Sequence, residues 1–236
     1  MSKRAIILAG GKGTRLKPYT IVFPKPLVPV GDHPILEIVI RQLVKYGFDH
    51  ITLAVNHQAD LIKAFFGNGD KWNTFIDYSL ETQPLSTMGP LTLVKDLPEN
   101  FLVMNGDILT DLNYENFYNE HINQKNIFTI LGKKRQDKVE YGILETNSNN
   151  ILTGFKEKPV NEYLVSSGIY MLNKRVLDFI PKEKAFGFDQ LMLEFIAKKE
   201  TVKVEIFEGF WLDIGRPDDY AIAIEKSEEI KNTYLP

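Results

Sequence analysis

A short, unbroken apolar run that ends in a cluster of glycines constrains this chain more than any other feature. Arg4-Ala5-Ile6-Ile7-Leu8-Ala9 shows no alternation of polar and apolar residues, so it reads as a strand covered on both faces. The run opens directly into Gly10-Gly11-Lys12-Gly13-Thr14-Arg15-Leu16. Basic residues at Lys3 and Arg4 give it a passing likeness to a secretion signal, but five apolar residues are too few for one. A helical pattern follows over Pro34–Tyr46, with Ile35, Ile38, Val39, Gln42 and Leu43 on one stripe and Gly47 after its end.

The rhythm continues. His50–Val55 predicts a second strand, Gln58–Phe66 a helix, Phe75–Leu80 a third strand, Met88–Leu97 a helix, and Phe101–Met104 another buried strand before Asn105-Gly106-Asp107. This alternation predicts an α/β fold with a mostly parallel central sheet and helices on both faces. The second half is richer in strands: Asn126–Lys134, Gly142–Glu145, Ile151–Lys156 and Leu164–Leu172, with a turn at Asn147-Ser148-Asn149-Asn150. Helices are expected at Lys174–Phe179 and Phe188–Lys198, a strand at Val202–Phe207, and a last helix from about Pro217 to Lys231. The extra strands are expected to form a small mixed β subdomain beside the sheet. No repeat and no long linker divides the 236 residues, so one domain is expected across 1–236.

Composition narrows the chemistry. Lys plus Arg number 28 against 31 Asp plus Glu, a formal charge of −3, which argues against a nucleic-acid partner. No cysteine is present, so disulfides, thiolate metal sites and cysteine nucleophiles are excluded and a reducing, cytoplasmic setting is expected. No stretch is long and apolar enough for a membrane helix, so no membrane partner is expected.

The glycines of the first loop allow positive φ and close backbone approach, and successive N–H groups there can cradle anionic oxygens beside Lys12 and Arg15. The loop is not a Walker A sequence, and the dinucleotide fingerprint fails because Leu16 stands where its third glycine is required. Downstream, Phe23-Pro24-Lys25-Pro26-Leu27 stiffens the chain on both sides of Lys25, which makes that lysine a positioned point charge. Each motif also has a plain alternative, a solvated turn or a surface proline-rich connection.

L-A-G-G-x-G-T-R-L followed about ten residues later by P-K-P-L is similar to the signature of the sugar-1-phosphate nucleotidylyltransferases, closest in look to mannose-1-phosphate guanylyltransferase-like members. The likeness extends to Asp219. It implies a Rossmann-like sheet, a nucleotide-binding half at 1–112 and a sugar-phosphate-binding half at 113–236. It also implies transfer of a nucleotidyl group from a nucleoside triphosphate to a sugar 1-phosphate, with Mg2+ as cofactor. Two anionic reactants must meet, and like unit charges 4 Å apart repel by roughly 4 kcal/mol at an effective dielectric of 20. Fixed cations are therefore needed.

By this resemblance Arg15 and Lys25 are the catalytic cations, and Asp107 and Asp213 the metal ligands. Leu8, Ala9, Gly10, Gly11, Gly13, Thr14, Gln83, Pro84, Thr87, Gly89, Asn105 and Gly106 are implied nucleotide contacts. Tyr141, Gly142, Glu157, Lys158, Ser167, Gly168 and Asp189 are implied sugar-phosphate contacts, Asp189 having helix capping as its alternative. An attacking phosphate oxygen is already ionised, so no general base is required. His33, His50, His57 and His121 are expected on the surface or in packing.

Substrate identity is less determined. Glu81-Thr82-Gln83-Pro84-Leu85-Ser86-Thr87-Met88-Gly89 resembles the P-L-G-T-A-G segment of guanylyltransferases, with Ser86 and Met88 as departures. GTP with a mannose-like or heptose 1-phosphate is the favoured pair. UTP, CTP or dTTP, and a cytidylyltransferase for a non-sugar phosphate, are the alternatives. Ser166 stands where relatives have Asn, which loosens any transfer of sugar specificity. The absence of hexapeptide repeats predicts no C-terminal β-helix domain, and a monomer or homodimer is expected.

Overall fold

The computed structural model describes residues 2–56 and 58–234. In chain order the elements are β1 (Lys3–Leu8), β2 (Pro29–Val30), β3 (His33–Pro34), α1 (Ile35–Lys45), β4 (Phe48–Val55), α2 (Ala59–Phe66), β5 (Phe75–Leu80), β6 (Asn100–Asn105), β7 (Ile108–Thr110), α3 (Tyr114–Asn123), β8 (Phe128–Lys138), β9 (Ile143–Thr146), β10 (Leu152–Lys156), β11 (Val160–Asn173), α4 (Phe188–Lys198), β12 (Val202–Phe207), β13 (Trp211–Asp213), α5 (Pro217–Glu225) and α6 (Ser227–Tyr234).

Seven strands form the central sheet in the order β12-β8-β11-β6-β1-β4-β5. Every neighbouring pair is parallel except the two made by β11, which runs against both β8 and β6. Ala5, Ile6 and Ile7 of β1 are fully buried, as a strand with helices on both faces requires. One face packs Val39, Leu43, Ile62, Phe66 and Phe117 of α1–α3 against Ile7, Leu53 and Met104. The other packs Met88, Leu91, Leu191 and Phe195 against Ile6, Ala54 and Val103. A third, smaller cluster joins Leu16, Val28, Leu109, Leu212, Ile214, Tyr220 and Ile230. Among the described residues no helix is long and apolar enough to cross a membrane.

Most predicted elements hold within two or three residues, and four places differ. The helix expected over Met88–Leu97 shrinks to a 3-10 turn at Gly89–Leu93. Pro90 lies in its first positions and Asp96 adopts φ 53°, so the chain turns over the sheet instead of running along it. The helix α3 escaped sequence reading because its buried positions are Tyr114, Phe117, Tyr118 and His121, a helical spacing written in aromatics and histidine among polar residues. Asn113 caps it, accepting the Asn116 N–H at 2.9 Å. In the second half, β8 and β11 enter the main sheet and then run on together, Lys138 pairing with Val160, as a ribbon beyond it. The β9–β10 hairpin forms a separate small sheet there, and β13 pairs with β7 in another. The last helix divides at Lys226 into α5 and α6.

Candidate functional site

Strand β1 is flanked by β4 on one side and β6 on the other, so connections leave it in opposite directions. Open α/β sheets bind ligands in the crevice outside the carboxyl ends of their strands at such a point. Here Leu8 pairs in register with Asn105, and the Gly106 N–H donates to the Leu8 carbonyl at 3.1 Å. Above these strand ends lies a cavity of about 580 Å3. Of the residues expected at the nucleotide and catalytic positions, Leu8, Gly10, Gly11, Gly13, Thr14, Arg15, Lys25, Pro84, Thr87, Asn105 and Asp107 line it.

The two opening motifs interlock. Gly13 has φ 60°, and a Cβ there would stand 2.9 Å from Thr20 Cγ2 and 3.1 Å from Lys25 Cβ. Glycine is thus required twice over, by backbone conformation and by the lysine arm crossing it. The Thr20 hydroxyl donates to the Gly13 carbonyl at 2.7 Å. Pro24 and Pro26 hold Lys25 at the start of a 3-10 turn, Lys25–Leu27.

Opposite charges meet on the cavity floor. Lys25 Nζ is ion-paired with Asp107 Oδ2. Asp107 Oδ1 is buried with no hydrogen-bond partner among the described residues. Strands β7 and β13 pair Ile108 with Asp213, and the Ile214 N–H donates to the Asp107 carbonyl at 3.0 Å, which sets the two aspartates side by side. Burial, then the charge of Asp107, pushes the Asp213 carboxyl above its usual range, while Lys25 and Arg15 pull it back. A Cβ on Gly215 would lie 3.5 Å from an Arg15 guanidinium nitrogen, so Arg15 closes the ring. The third apolar cluster explains why this ring holds its shape. Leu16 follows Arg15, Val28 follows Lys25 closely, Leu109 follows Asp107, and Leu212 and Ile214 flank Asp213.

The carboxylates fit a hard divalent cation. An orphaned buried oxygen and a second, electrostatically disfavoured carboxylate are what such an ion would relieve. No group of three or more His, Asp or Glu side chains forms a metal cage among the described residues, so remaining ligands would be water and phosphate oxygens.

On the base side the arrangement differs from the expected set. Gln83 is exposed and its amide donates to the Glu183 carbonyl at 3.3 Å. Gly89 is buried, its N–H on the Phe186 carbonyl at 3.0 Å, and a Cβ there would sit 2.8 Å from Lys184 O, so it is a packing glycine. Ala9 and Gly106 lie beneath the cavity, tied by backbone to Ala54 and Leu8. The Thr87 hydroxyl accepts the Phe188 N–H at 2.8 Å, anchoring the loop to α4. Asn56, Glu81, Ser86, Pro90 and Gly215, which sequence reasoning did not select, also line the cavity, as does Lys12. Asn56 and Glu81 carried a readable signal, for each is the first residue after a predicted strand, at Val55 and Leu80.

The expected sugar contacts divide into two places. Ser167 is buried, its carbonyl accepting the Trp211 indole N–H at 2.9 Å. Gly168 has φ 78°, and a Cβ on it would come within 2.6 Å of Asn105 Nδ2, so this bulge of β11 sits against the nucleotide half. Tyr141, Gly142, Glu157 and Lys158 lie out on the β9–β10 hairpin and its flanks. A Cβ on Gly142 would be 3.1 Å from Glu157 Oε2, and Tyr141 is 79% exposed. Asp189 is exposed in the first turn of α4, whose N-cap is Gly187, and the side chain that reaches back to the cap is Gln190, its Oε1 accepting the Gly187 N–H at 2.8 Å. Among the histidines, His33 faces Glu37, His50 faces Asp77 and His121 is buried, whereas His57 lies outside the described residues.

Residues 4–230 match the nucleotidyl transferase family. The chain is 34% identical over 225 residues to mannose-1-phosphate guanylyltransferase catalytic subunit beta of Drosophila pseudoobscura pseudoobscura, covering 92% of this chain and 60% of that one. It is 31% identical over 255 residues to the UTP–glucose-1-phosphate uridylyltransferase of Synechocystis, covering 99% of this chain and 66% of that enzyme. The crystal structure of HddC from Yersinia pseudotuberculosis is 30% identical with a TM-score of 0.75, over 95% of this chain and 99% of that one. HddC complexed with GMP-PN superposes with a TM-score of 0.72 at 29% identity. The chain therefore spans about three fifths of the length of the first curated relative, 60%, and nearly all of HddC.

Proposed function

The chain belongs to the nucleotidyl transferase family, and from that membership we propose that it joins a nucleoside triphosphate to a sugar 1-phosphate, releasing pyrophosphate. GTP with a mannose-like or heptose 1-phosphate is the favoured pair, supported by the names of the relatives and by the guanine nucleotide analogue in the HddC complex. One observation carries the reading: Arg15, Lys25, Asp107 and Asp213 converge at the switch point of the sheet.

A sugar-phosphate oxygen forms a bond to the α-phosphorus while the bond from that phosphorus to the bridging oxygen breaks, and pyrophosphate departs with the electron pair. The nucleophile needs no deprotonation, so the protein's task is to hold two anions in line and to stabilise the charge that develops. Backbone at Gly11 and Gly13 gives the triphosphate close approach, Gly11 having nothing within 4 Å of a Cβ position. Arg15 faces the departing pyrophosphate, Lys25 the attacked phosphate, and Lys158 the incoming sugar phosphate. Asp107 and Asp213 would hold Mg2+, which as a Lewis acid would polarise phosphoryl oxygens.

A matrix of four nucleoside triphosphates against several sugar 1-phosphates, scored by pyrophosphate, tests the reading. Release is expected with GTP and a mannose- or heptose-type partner above all others, and no release with any pair overturns it. For the metal, millimolar Mg2+ is expected to raise the melting temperature of the wild type and leave the Asp107→Asn, Asp213→Asn double variant unmoved.

A further inference from the structure

The cavity is electrically lopsided. Its cations, Lys12, Arg15 and Lys25, belong to the opening motifs, and Glu81, Pro84, Ser86, Thr87 and Pro90 supply another part of the lining. A triphosphate placed at the cationic end leaves its uncharged base at Glu81, because a carboxylate repels phosphate oxygens. Glu81 stands apart from the other acids at this site. Asp107 has Lys25 as a partner, and Asp213 feels both Lys25 and Arg15. Among the described residues Glu81 has no ion-pair partner, and its side chain has one hydrogen bond, from the Leu85 N–H to Oε2 at 3.1 Å. That bond fixes the carboxylate and leaves acceptor capacity on Oε1. Burial raises the Glu81 carboxyl above its usual range against the opposing Leu85 N–H, so its ionised form is under-compensated here.

Gly10 keeps Oε1 reachable. Its φ is not in the left-handed region, so conformation does not demand glycine. Space does: a Cβ on Gly10 would sit 3.1 Å from Glu81 Oε1 and 3.2 Å from Asn56 Cβ, filling the approach to the carboxylate. An ionised carboxylate only accepts hydrogen bonds. Guanine presents two adjacent donors on one edge, N1–H and the 2-amino group. Uracil and thymine present one donor between two carbonyls, which repel a carboxylate, and cytosine and adenine set a ring acceptor beside their amino group.

We propose that Glu81 selects guanine by accepting the N1–H and 2-amino donors of the base. This rests on the nucleoside triphosphate reading above and names a specificity residue within it. Gln83, the neighbouring side chain in the base-recognition segment, is turned out toward Glu183 and does not share the task.

The test compares GTP, inosine triphosphate, which lacks the 2-amino group, xanthosine triphosphate and UTP on wild type and Glu81→Gln. Wild type is expected to prefer GTP over inosine triphosphate by at least about 10-fold in kcat/KM, since a charged acceptor would lose its partner. In Glu81→Gln that preference falls toward unity and GTP loses roughly 30- to 100-fold. Xanthosine triphosphate gains relative to GTP, because a glutamine amide both accepts from N1–H and donates to the 2-carbonyl. Equal use of GTP and inosine triphosphate by the wild type overturns the proposal and does not depend on the variant folding. A uniform loss with all four triphosphates in Glu81→Gln also overturns it, reducing Glu81 to a brace for Leu85. If the wild type releases no pyrophosphate with any pair, the transferase reading falls. The same GTP-to-inosine ratio, measured by equilibrium binding on both proteins, then decides Glu81 alone: a wild-type preference that collapses in Glu81→Gln supports it, and an unchanged ratio overturns it.

Discussion

The proposed phosphate floor and the proposed sugar wall, the latter on the β9–β10 hairpin and its flanks, are built on opposite principles. Arg15, Lys25, Asp107 and Asp213 each neighbour a residue of one buried cluster, so moving any of them disturbs packed Leu16, Val28, Leu109 or Ile214. Tyr141, Glu157 and Lys158 stand on a hairpin and ribbon whose Leu144, Phe155 and Tyr163 are more than half exposed. Charge stabilisation in phosphoryl transfer depends on groups that do not reorganise, and the floor supplies that rigidity. Recognition of a variable sugar depends on placement alone, and exposed elements tolerate substitution with small stability effects.

The largest expected effect attacks the floor. Lys25→Ala and Asp107→Asn should each lower kcat by roughly 10²–10³-fold at saturating substrates. Circular dichroism should show the fold intact in both. Turnover near the wild-type level in either variant breaks the comparison, because a rigid charge that can be removed without loss is not serving the reaction.

The wall should respond differently. Lys158→Gln is expected to raise KM for the sugar 1-phosphate by roughly 10-fold, the worth of one exposed charge-assisted contact. The KM for the triphosphate and the unfolding midpoint should stay within error. Steady-state kinetics in both substrates, with a urea titration, separates the outcomes. A parallel rise in both KM values would place Lys158 on the floor and erase the distinction.

That division also explains what could be read from sequence. The sheet was legible because β1 and β6 carry unbroken apolar runs, and the floor because Gly13, Lys25, Asp107 and Asp213 lie in motifs that resemble the sugar-1-phosphate nucleotidylyltransferase pattern. Helix α3 was not, because its inward positions are Tyr, Phe and His among polar residues. Neither was the junction of Gly168 with Asn105, since a contact across 63 positions follows from the antiparallel pairing of β11 with β6, which no local pattern encodes. Asn56 was overlooked for another reason, since it belongs to no motif and only its place just beyond a strand end marks it, whereas Glu81 opens the base segment and was not singled out within it. In the base segment, Met88 replaces the alanine of the resembled pattern and is fully buried, so that departure belongs to the core and not to the base.

Acid offers a test of the rigid side. His121 on α3 is buried, with Nδ1 2.8 Å from Thr129 Oγ1 on β8 and Nε2 unpartnered among the described residues. Burial lowers its pKa from 6.5 to about 4. The unfolded chain therefore takes up a proton below about pH 6.5 that the folded chain refuses until about pH 4, and stability falls as pH drops through that window. The loss approaches about 3 kcal/mol at its lower end. His121→Asn keeps a polar group near Thr129 without the titration, so its stability should fall less steeply between those pH values. Urea unfolding at several pH values measures the difference, and equal slopes would assign the acid sensitivity to other groups.

The smallest effect concerns the base loop, where the two principles meet. Ser86 lines the cavity with φ 63°, a conformation that costs a residue bearing a Cβ roughly 1 kcal/mol. The resembled pattern carries glycine at this position, which has no such penalty. Ser86→Gly removes the local strain and adds chain entropy to the unfolded state, and the two partly cancel. A net gain of about 0.5 kcal/mol is expected, seen as a small rise in the urea midpoint. If the loop is held as firmly as the floor by the Thr87 hydroxyl on the Phe188 N–H, base preference should not change with it. A stabilised variant that discriminates less among triphosphates would show instead that the serine, strained as it is, takes part in setting where the base lies.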